Sequence, residues 1–315
     1  MAVRVKPETG EVDVKHRCRV TNEPEYDRTR GNLTIWFEET SIRESWTPPR
    51  PIGRGKPEWY SETAIQTCLK IKTSFQLPYR VTEGLIKSLI SLSDLGLPVP
   101  DHTSLSRRTG ALSVQILRRP RQGATHVVVD STGLKIFGEG EWKVRQHGVG
   151  KRRTWRKSHL AVDETAKDIT GIEVTTTAGG DSQIVPGLFD EFDGEVSQVS
   201  ADGAYDSRGC HTATTERGAR PPRYGAVARG AEHPDAFLQE IGAKRLAGWK
   251  NDSGHHQRNI AENAVYRLKR LSDCPYSRTF ECQVTEAYFR STTINTLAYL
   301  SMSQSIRIGQ IAPAK

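Results

Sequence analysis

No stretch of this chain approaches the roughly 18 consecutive apolar residues that a membrane-crossing helix requires. The opening MAVRVKPETGEVDV lacks the apolar centre of a secretory signal peptide. Cysteine is sparse: the five (Cys18, Cys68, Cys210, Cys274 and Cys282) are odd in number and form no CxxC pair. That argues against a zinc ribbon or a secreted disulfide scaffold and fits reduced thiols in a cytosol. GxSxG, Walker and HExxH motifs are all missing, so three common catalytic chemistries have no sequence signature here. Acid is also missing locally. Residues 102–129 and 142–161 contain no Asp or Glu.

What those acid-free runs do contain is arginine and lysine. The first holds Arg107, Arg108, Arg118, Arg119 and Arg121; the second holds Lys143, Arg145, Lys151, Arg152, Arg153, Arg156 and Lys157. The whole chain carries a formal charge of +8 with a pI near 9.3. A basic balance favours a polyanionic partner, and each cation set on a phosphate would make binding salt-dependent. With 315 residues, 36% of them hydrophobic and 26% charged, the chain can build one sizeable core or two modest ones.

Residues 1 to about 32 are polar without a sustained period and read as an arm. Trp36, Phe37 and Trp46 are aromatic anchors, and the Pro- and Gly-rich TPPRPIGRGKPEW, residues 47–59, is a connector. Three helices are expected next: one capped by Ser61, a second with Leu85, Ile86, Leu89, Ile90 and Leu92 on its apolar side and Gly96 as its stop, and a third opened by Pro100-Asp101. Beyond residue 125, HVVVD, SHLAVDE and ITGIEVTTTAG read as three strands without a long helix between them. SQIVPGLFDEFD then reads as a helix with Pro186 in its first turn, EVSQVSADG as a fourth strand and SRGCHTATTERG as a helix; RYGAVARG is a fifth strand candidate. Two amphipathic helices follow, QRNIAENAVYRLKRLSD and FECQVTEAYFRSTTINTLAYLSMSQSI. Adjacent strands of this kind favour a mixed sheet over a wound parallel one.

Asp130 and Asp202 each close a β-rich run and are each followed within three residues by glycine. If their strands are neighbours, the carboxylates lie side by side, where they repel unless a cation or proton intervenes. An all-oxygen donor set points to magnesium or manganese. The plain alternative is two turn residues, a position aspartate favours. On the penultimate helix, Arg258, Glu262 and Lys269 return to nearly one line at 3.6 residues per turn. That is either a solvated charge stripe or a third metal ligand flanked by two phosphate-binding cations. Trp142 and Trp155 are candidates for stacking on an unpaired base, or for anchoring loops. His147 and His159 suit hydrogen bonding or phosphate contact better than metal ligation.

Several stretches together resemble the transposases of bacterial insertion sequences, in the acidic-triad class and the family numbered five. They are LTIWF, YSETAIQTCLKIKTSFQLPYRVTEG, LPVPDHTSLSRR, VVDSTGLKIFGEGEWKVRQHG, RRTWRKSHLAVDE, VSADGAYDSRGCH and RNIAEN, spread over residues 32–300. The resemblance implies a ribonuclease-H-like α/β fold: a mixed five-stranded sheet with flanking helices, preceded by a helical DNA-binding region. Its implied divisions are an arm and linker (1–59), a helix-turn-helix-like DNA reader (60–120), a catalytic domain (121–300) and a tail (301–315). It places the triad on Asp130, Asp202 and Glu262, holding two Mg²⁺ ions about 3.5–4 Å apart, with Mn²⁺ as a substitute. Of the accompanying tyrosine, arginine, glutamate and lysine signature, the last three fall on Arg258, Glu262 and Lys269. His255 stands at the tyrosine position and keeps a phosphate-donating ring without the phenol.

Further implications are contact of Lys151, Arg152, Arg153, Arg156 and Lys157 with DNA phosphates, and reading of terminal inverted repeats by the segment bearing Arg107 and Arg108. The expected partners are double-stranded DNA, as transposon ends and as target, and a second copy of the chain, with no membrane; the expected place is the bacterial cytoplasm. The implied activity is cleavage at terminal inverted repeats followed by joining of the 3′-OH end to target DNA. The alternatives are a catalytically silent end-binding regulator and a nuclease that cuts without joining. A carbohydrate-active enzyme using paired acids is disfavoured by scarce aromatic platforms and by the arginine-rich runs between the acids.

Overall fold

The computed structural model of the chain describes residues 17–20, 39–48, 59–119, 123–136, 155–176, 183–190, 192, 194–205, 207–220, 259–300 and 305–308. Residues 33–299 form one compact unit; residues 1–32 and 300–315 form another. In the smaller unit, β1 (Arg17–Val20) pairs antiparallel with β6 (Ser305–Ile308), from Arg17↔Ile308 to Val20↔Ser305. Nothing in the apolar patterning of the arm announces this strand, because its partner lies at the other end of the chain.

Within the larger unit the helices come first. A short α1 (Glu39–Ser45) leads to Trp46, which is 1% exposed and donates its indole N–H to the Pro98 carbonyl at 2.7 Å. The helix α2 (Glu62–Ser74) starts where Ser61 accepts from Ala64 N–H, the expected N-cap. Next, α3 (Tyr79–Leu92) ends at Ser93, and Asp94 and Gly96 both take the left-handed conformation. The stop therefore falls three residues before the glycine expected to supply it. In α4 (His102–Thr109), the Asp101 carboxylate accepts from the N–H groups of Thr103 and Ser104. Ile65, Ile71, Ile86, Leu105 and Trp46 form the core of this helical region.

The sheet follows. Four strands, β2 (Thr125–Lys135), β3 (Trp155–Asp163), β4 (Ile169–Thr176) and β5 (Val196–Ser200), lie in the order β4-β3-β2-β5. The first three are antiparallel and β5 runs parallel to β2, the mixed arrangement expected from three strands in direct succession. Among the described residues this sheet has four strands rather than five. The fifth candidate, RYGAVARG, lies outside them, although Arg220 just before it makes a parallel bridge to Gln198 on the free side of β5.

Helices cover both faces. On one side lie α5 (Val185–Asp190), with Pro186 in its first turn, and α6 (Arg208–Glu216), capped by Ser207; they pack with Val127, Val129, Ala161 and Val199. On the other lie α7 (Asn259–Leu271) and α8 (Phe280–Leu300), packing with Val128, Leu160, Val162 and Ile172. The last helix is buried nearly all round, polar residues such as Gln283, Arg290 and Asn295 included, because it has two cores to serve. Ala287 and Ile294 join the sheet core while Phe289 joins the helical one. It ends at Leu300, and Ser305 and Ile306, expected to belong to it, lie in β6 instead.

Candidate active site

Asp130 does not close its strand. β2 runs five residues beyond it, through STGLK, and Asp130 sits opposite Leu160 in an unbroken β2–β3 ladder. The strand that stops is β5. Its ladder with β2 ends at Val128↔Ser200, a register offset of 200 − 128 = 72. Asp130 and Asp202 keep that offset (202 − 130 = 72), so each stands two residues past the last paired position. Neighbouring strands lie about 4.8 Å apart, so the chain brings two carboxylates to one shoulder of the sheet where β5 leaves it.

Side-chain alternation assigns them a face. Val127 and Val129 point into the core under α5 and α6, with Val199 and Ala201 of the neighbouring segment. Val128 points toward α7 and α8, and Asp130, two residues on, follows it. On the neighbouring strand Ser200 lies on that same side, its hydroxyl 2.8 Å from Nε2 of His126, and Asp202 follows Ser200. Each aspartate is half-buried and accepts a nearby backbone N–H: Ser131 to Asp130 at 2.8 Å, and Ala204 to Asp202 at 2.9 Å.

Glu262 lies on α7, the helix that packs over this face. Ala261, Ala264, Leu268 and Leu271 of that helix are buried against the sheet, which leaves Glu262, Tyr266 and Lys269 exposed on successive turns. A carboxylate in the first turn also meets the positive end of the helix dipole. Among the described residues, no three His, Cys, Asp or Glu side chains stand close enough together to hold a metal ion. The structure therefore brings the two aspartates into register and puts Glu262 on the helix over the same face, without closing the three into a cage. The donors themselves, carboxylate oxygens and no thiolate, suit a hard divalent cation.

The basic residues divide into two groups. Arg107 is exposed on α4, whereas Arg108 turns inward and donates to the Tyr60 carbonyl at 2.5 Å. Arg156 donates to Gln283 on α8 at 2.8 Å and lies over the Phe280 ring, so it ties β3 to that helix. Lys157 is half-buried beside it. The Trp155 ring lies across β2, 3.2 Å from where a side chain on Gly133 would begin. Arg119 is drawn into an ion pair with the buried Asp168 at 2.6 Å. His255, Arg258, Lys151, Arg152, Arg153 and Trp142 lie outside the described residues. His159, by contrast, is fully buried and hydrogen-bonded, and Tyr205, which sequence reading did not single out, is its partner. The signal for Tyr205 was weak: one aromatic in a turn three residues after Asp202.

Two family models match the chain, both described as a transposase DDE domain, one over residues 121–295 and the other over residues 28–139. The first spans more than half of the sequence and every element from β2 to most of α8. The chain belongs to the DDE transposase family. Membership carries DNA transposition as the activity and phosphoryl transfer as the chemistry, in a family that generally uses divalent metal ions. Asp130, Asp202 and Glu262 all fall within the larger match. Among the described residues of the transposase, no helix is long and apolar enough to cross a membrane.

Proposed function

We propose that this transposase is of the insertion-sequence family numbered five, that it cuts DNA at terminal inverted repeats, and that it joins the freed 3′-OH end to target DNA. Asp130, Asp202 and Glu262 are its catalytic carboxylates, suited to holding two Mg²⁺ ions, with Mn²⁺ able to substitute. The observation that carries this reading is the common register and common face of the two aspartates at the point where β5 leaves β2. When bound, such ions supply Lewis acidity at the attacking and leaving oxygens of an in-line displacement. The side chains contribute placement. Asp130 is fixed by the β2–β3 ladder, Asp202 by the turn that follows it, and Glu262 by a helix anchored through small apolar residues.

The described cations fit the same reading in different ways. Arg107, exposed at the end of α4, is placed to touch DNA, while Arg108 supports the helix by holding Tyr60. Lys269 lies two turns beyond Glu262 on the exposed side of α7 and suits a phosphate. We assign the helices of residues 60–120 to reading the repeats, residues 121–300 to catalysis, and the pairing of two DNA ends to a dimer.

The deciding experiment uses Glu262→Gln with an end-containing duplex in Mg²⁺. DNA binding stays within about twofold of wild type while cleavage falls by on the order of 10²–10³ or more. Normal cutting by this variant would remove Glu262 from the site. Strand-transfer products from the wild type separate a transposase from a nuclease that only cuts. Binding without any metal-dependent cutting would leave an end-binding regulator. In the basic run, replacing Arg152 and Arg153 by Ala should lower the slope of log affinity against log salt by up to about 0.9 per lost phosphate contact. An unchanged slope assigns those residues to the protein surface.

A further inference from the structure

Beneath the aspartate pair, on the opposite face of the sheet, a second polar pair is sealed from solvent. His159 and Tyr205 are both 0% exposed. The phenol oxygen of Tyr205 lies 2.8 Å from Nδ1 of His159, and the two rings meet edge to face at 88° with centroids 6.2 Å apart. The other ring nitrogen, Nε2, lies 3.3 Å from the Thr175 hydroxyl on β4. Both imidazole nitrogens thus have polar partners in a layer that holds Val127, Val129, Leu188 and Phe189, with Glu173 paired opposite His159 on β4. A hydroxyl and an imidazole are costly to bury without partners, so their presence calls for a role.

Their placement supplies one. His159 stands on β3 opposite Ser131, next to the position opposite Asp130. Tyr205 ends the short 3-10 turn Gly203–Tyr205 that begins directly after Asp202. Its backbone N–H donates to the Asp202 carbonyl at 3.0 Å, and its own carbonyl accepts from Ser207 N–H at 2.9 Å, at the cap of α6. One hydrogen bond therefore joins the strand that pairs with Asp130 to the turn that carries Asp202. This matters because the β2–β5 ladder has already ended at Ser200, so no backbone pairing between those strands fixes Asp202.

We infer that His159 and Tyr205 are positioning residues that set the spacing of Asp130 and Asp202, and through it the affinity of the site for divalent cations. This inference rests on the assignment of those two aspartates as metal ligands. Partners one step removed from ligating groups typically change metal affinity about 10–100-fold when removed. Tyr205→Phe keeps the buried ring and deletes only the hydroxyl that reaches His159. In His159→Asn an amide takes the place of Nδ1 and can still meet the phenol, whereas His159→Leu cannot.

The test measures Mn²⁺ binding to the full chain by electron paramagnetic resonance, beside the Mn²⁺ concentration that gives half-maximal cleavage of an end-containing duplex. Thermal melts confirm folding. For Tyr205→Phe and His159→Leu, both Mn²⁺ values rise about 10-fold or more, cleavage at saturating Mn²⁺ recovers to near wild type, and DNA affinity does not change. His159→Asn regains most of the loss. A folded Tyr205→Phe with wild-type Mn²⁺ affinity overturns the inference. If Tyr205→Phe does not fold, equal Mn²⁺ affinities for His159→Asn and His159→Leu overturn it instead. The control Asp202→Asn keeps the two levels apart. Should it bind Mn²⁺ and cut like wild type, the underlying assignment of the aspartates fails, whatever the Tyr205 variant does.

Discussion

A pair of carboxylates occurs both in the helical region and on the sheet, and the fold uses the two pairs in different ways. Asp101 gathers the N–H groups of Thr103 and Ser104 and both their hydroxyls, closing the start of α4. The Thr103 hydroxyl, with the donors of Ser104, holds its carboxyl far below the usual carboxylate range. Glu83 is held similarly. Lys87, then the backbone and ring of His102, lower it to about 2. On the sheet, Asp130 and Asp202 each stand two residues past the end of the β2–β5 ladder, Asp130 accepting from the next residue of its strand and Asp202 from the turn that follows it. Asp101 caps the helix that follows it, and Glu83 ties α3 to the first residue of α4. The second pair is brought to one shoulder of the sheet by the register of two neighbouring strands.

The sharpest test of this contrast replaces each acid by its neutral isostere. Asp130→Asn or Asp202→Asn should lower cleavage by on the order of 10²–10³ or more, while thermal stability stays at the wild-type value. A stability loss with normal cutting would put these acids in the same class as Asp101. The converse test is Asp101→Ala, which should cost about 1 kcal/mol of unfolding free energy, the usual value of an N-cap. Chemical denaturation measures that cost, and cleavage per folded molecule should stay at the wild-type value.

The smallest effect is one of pH. Because the folded-state pKa of Glu83 is depressed, its contribution is fully present above the unfolded value near 4.3 and disappears as pH falls toward about 2. Glu83→Gln should therefore flatten the acid limb of stability between about pH 4.5 and 2 and leave stability at pH 7 to 8 nearly parallel to wild type. Melting temperatures across that range decide it. An unaltered acid limb would mean that Lys87 and His102 do not hold Glu83 in solution.

The parts that local chemistry governs could be read directly from the sequence. Ser61 and Asp101 act on N–H groups two or three residues away, so the caps of α2 and α4 were visible in a few letters. The apolar stripe that fixes which side of α7 is packed, and hence that Glu262 is exposed, was equally local. Strand extents were harder. STGLK contains a glycine and three polar residues and reads as a turn, but β3 pairs with it throughout. On β3 itself, Trp155 to Lys157 looked like part of a basic connection, because Arg156 and Lys157 mask a strand that begins at the tryptophan. The site was legible as three acids and a resemblance. Their register and common face depended on which strands became neighbours, and the one-residue precision of that pairing is a tertiary property.

The terminal ribbon imposes an order on how the chain comes into being. Ser305 follows Val20 by 305 − 20 = 285 positions, yet the two are partners. At a synthesis rate of about 5–20 residues per second, the first strand to emerge waits roughly 15–60 seconds before its complement has been made. During that interval β1 is an open edge that every other growing chain on the same message also displays. A chain that stops before Ser305 lacks the strand that pairs with β1, so a truncation there is felt 285 positions away, at Arg17–Val20.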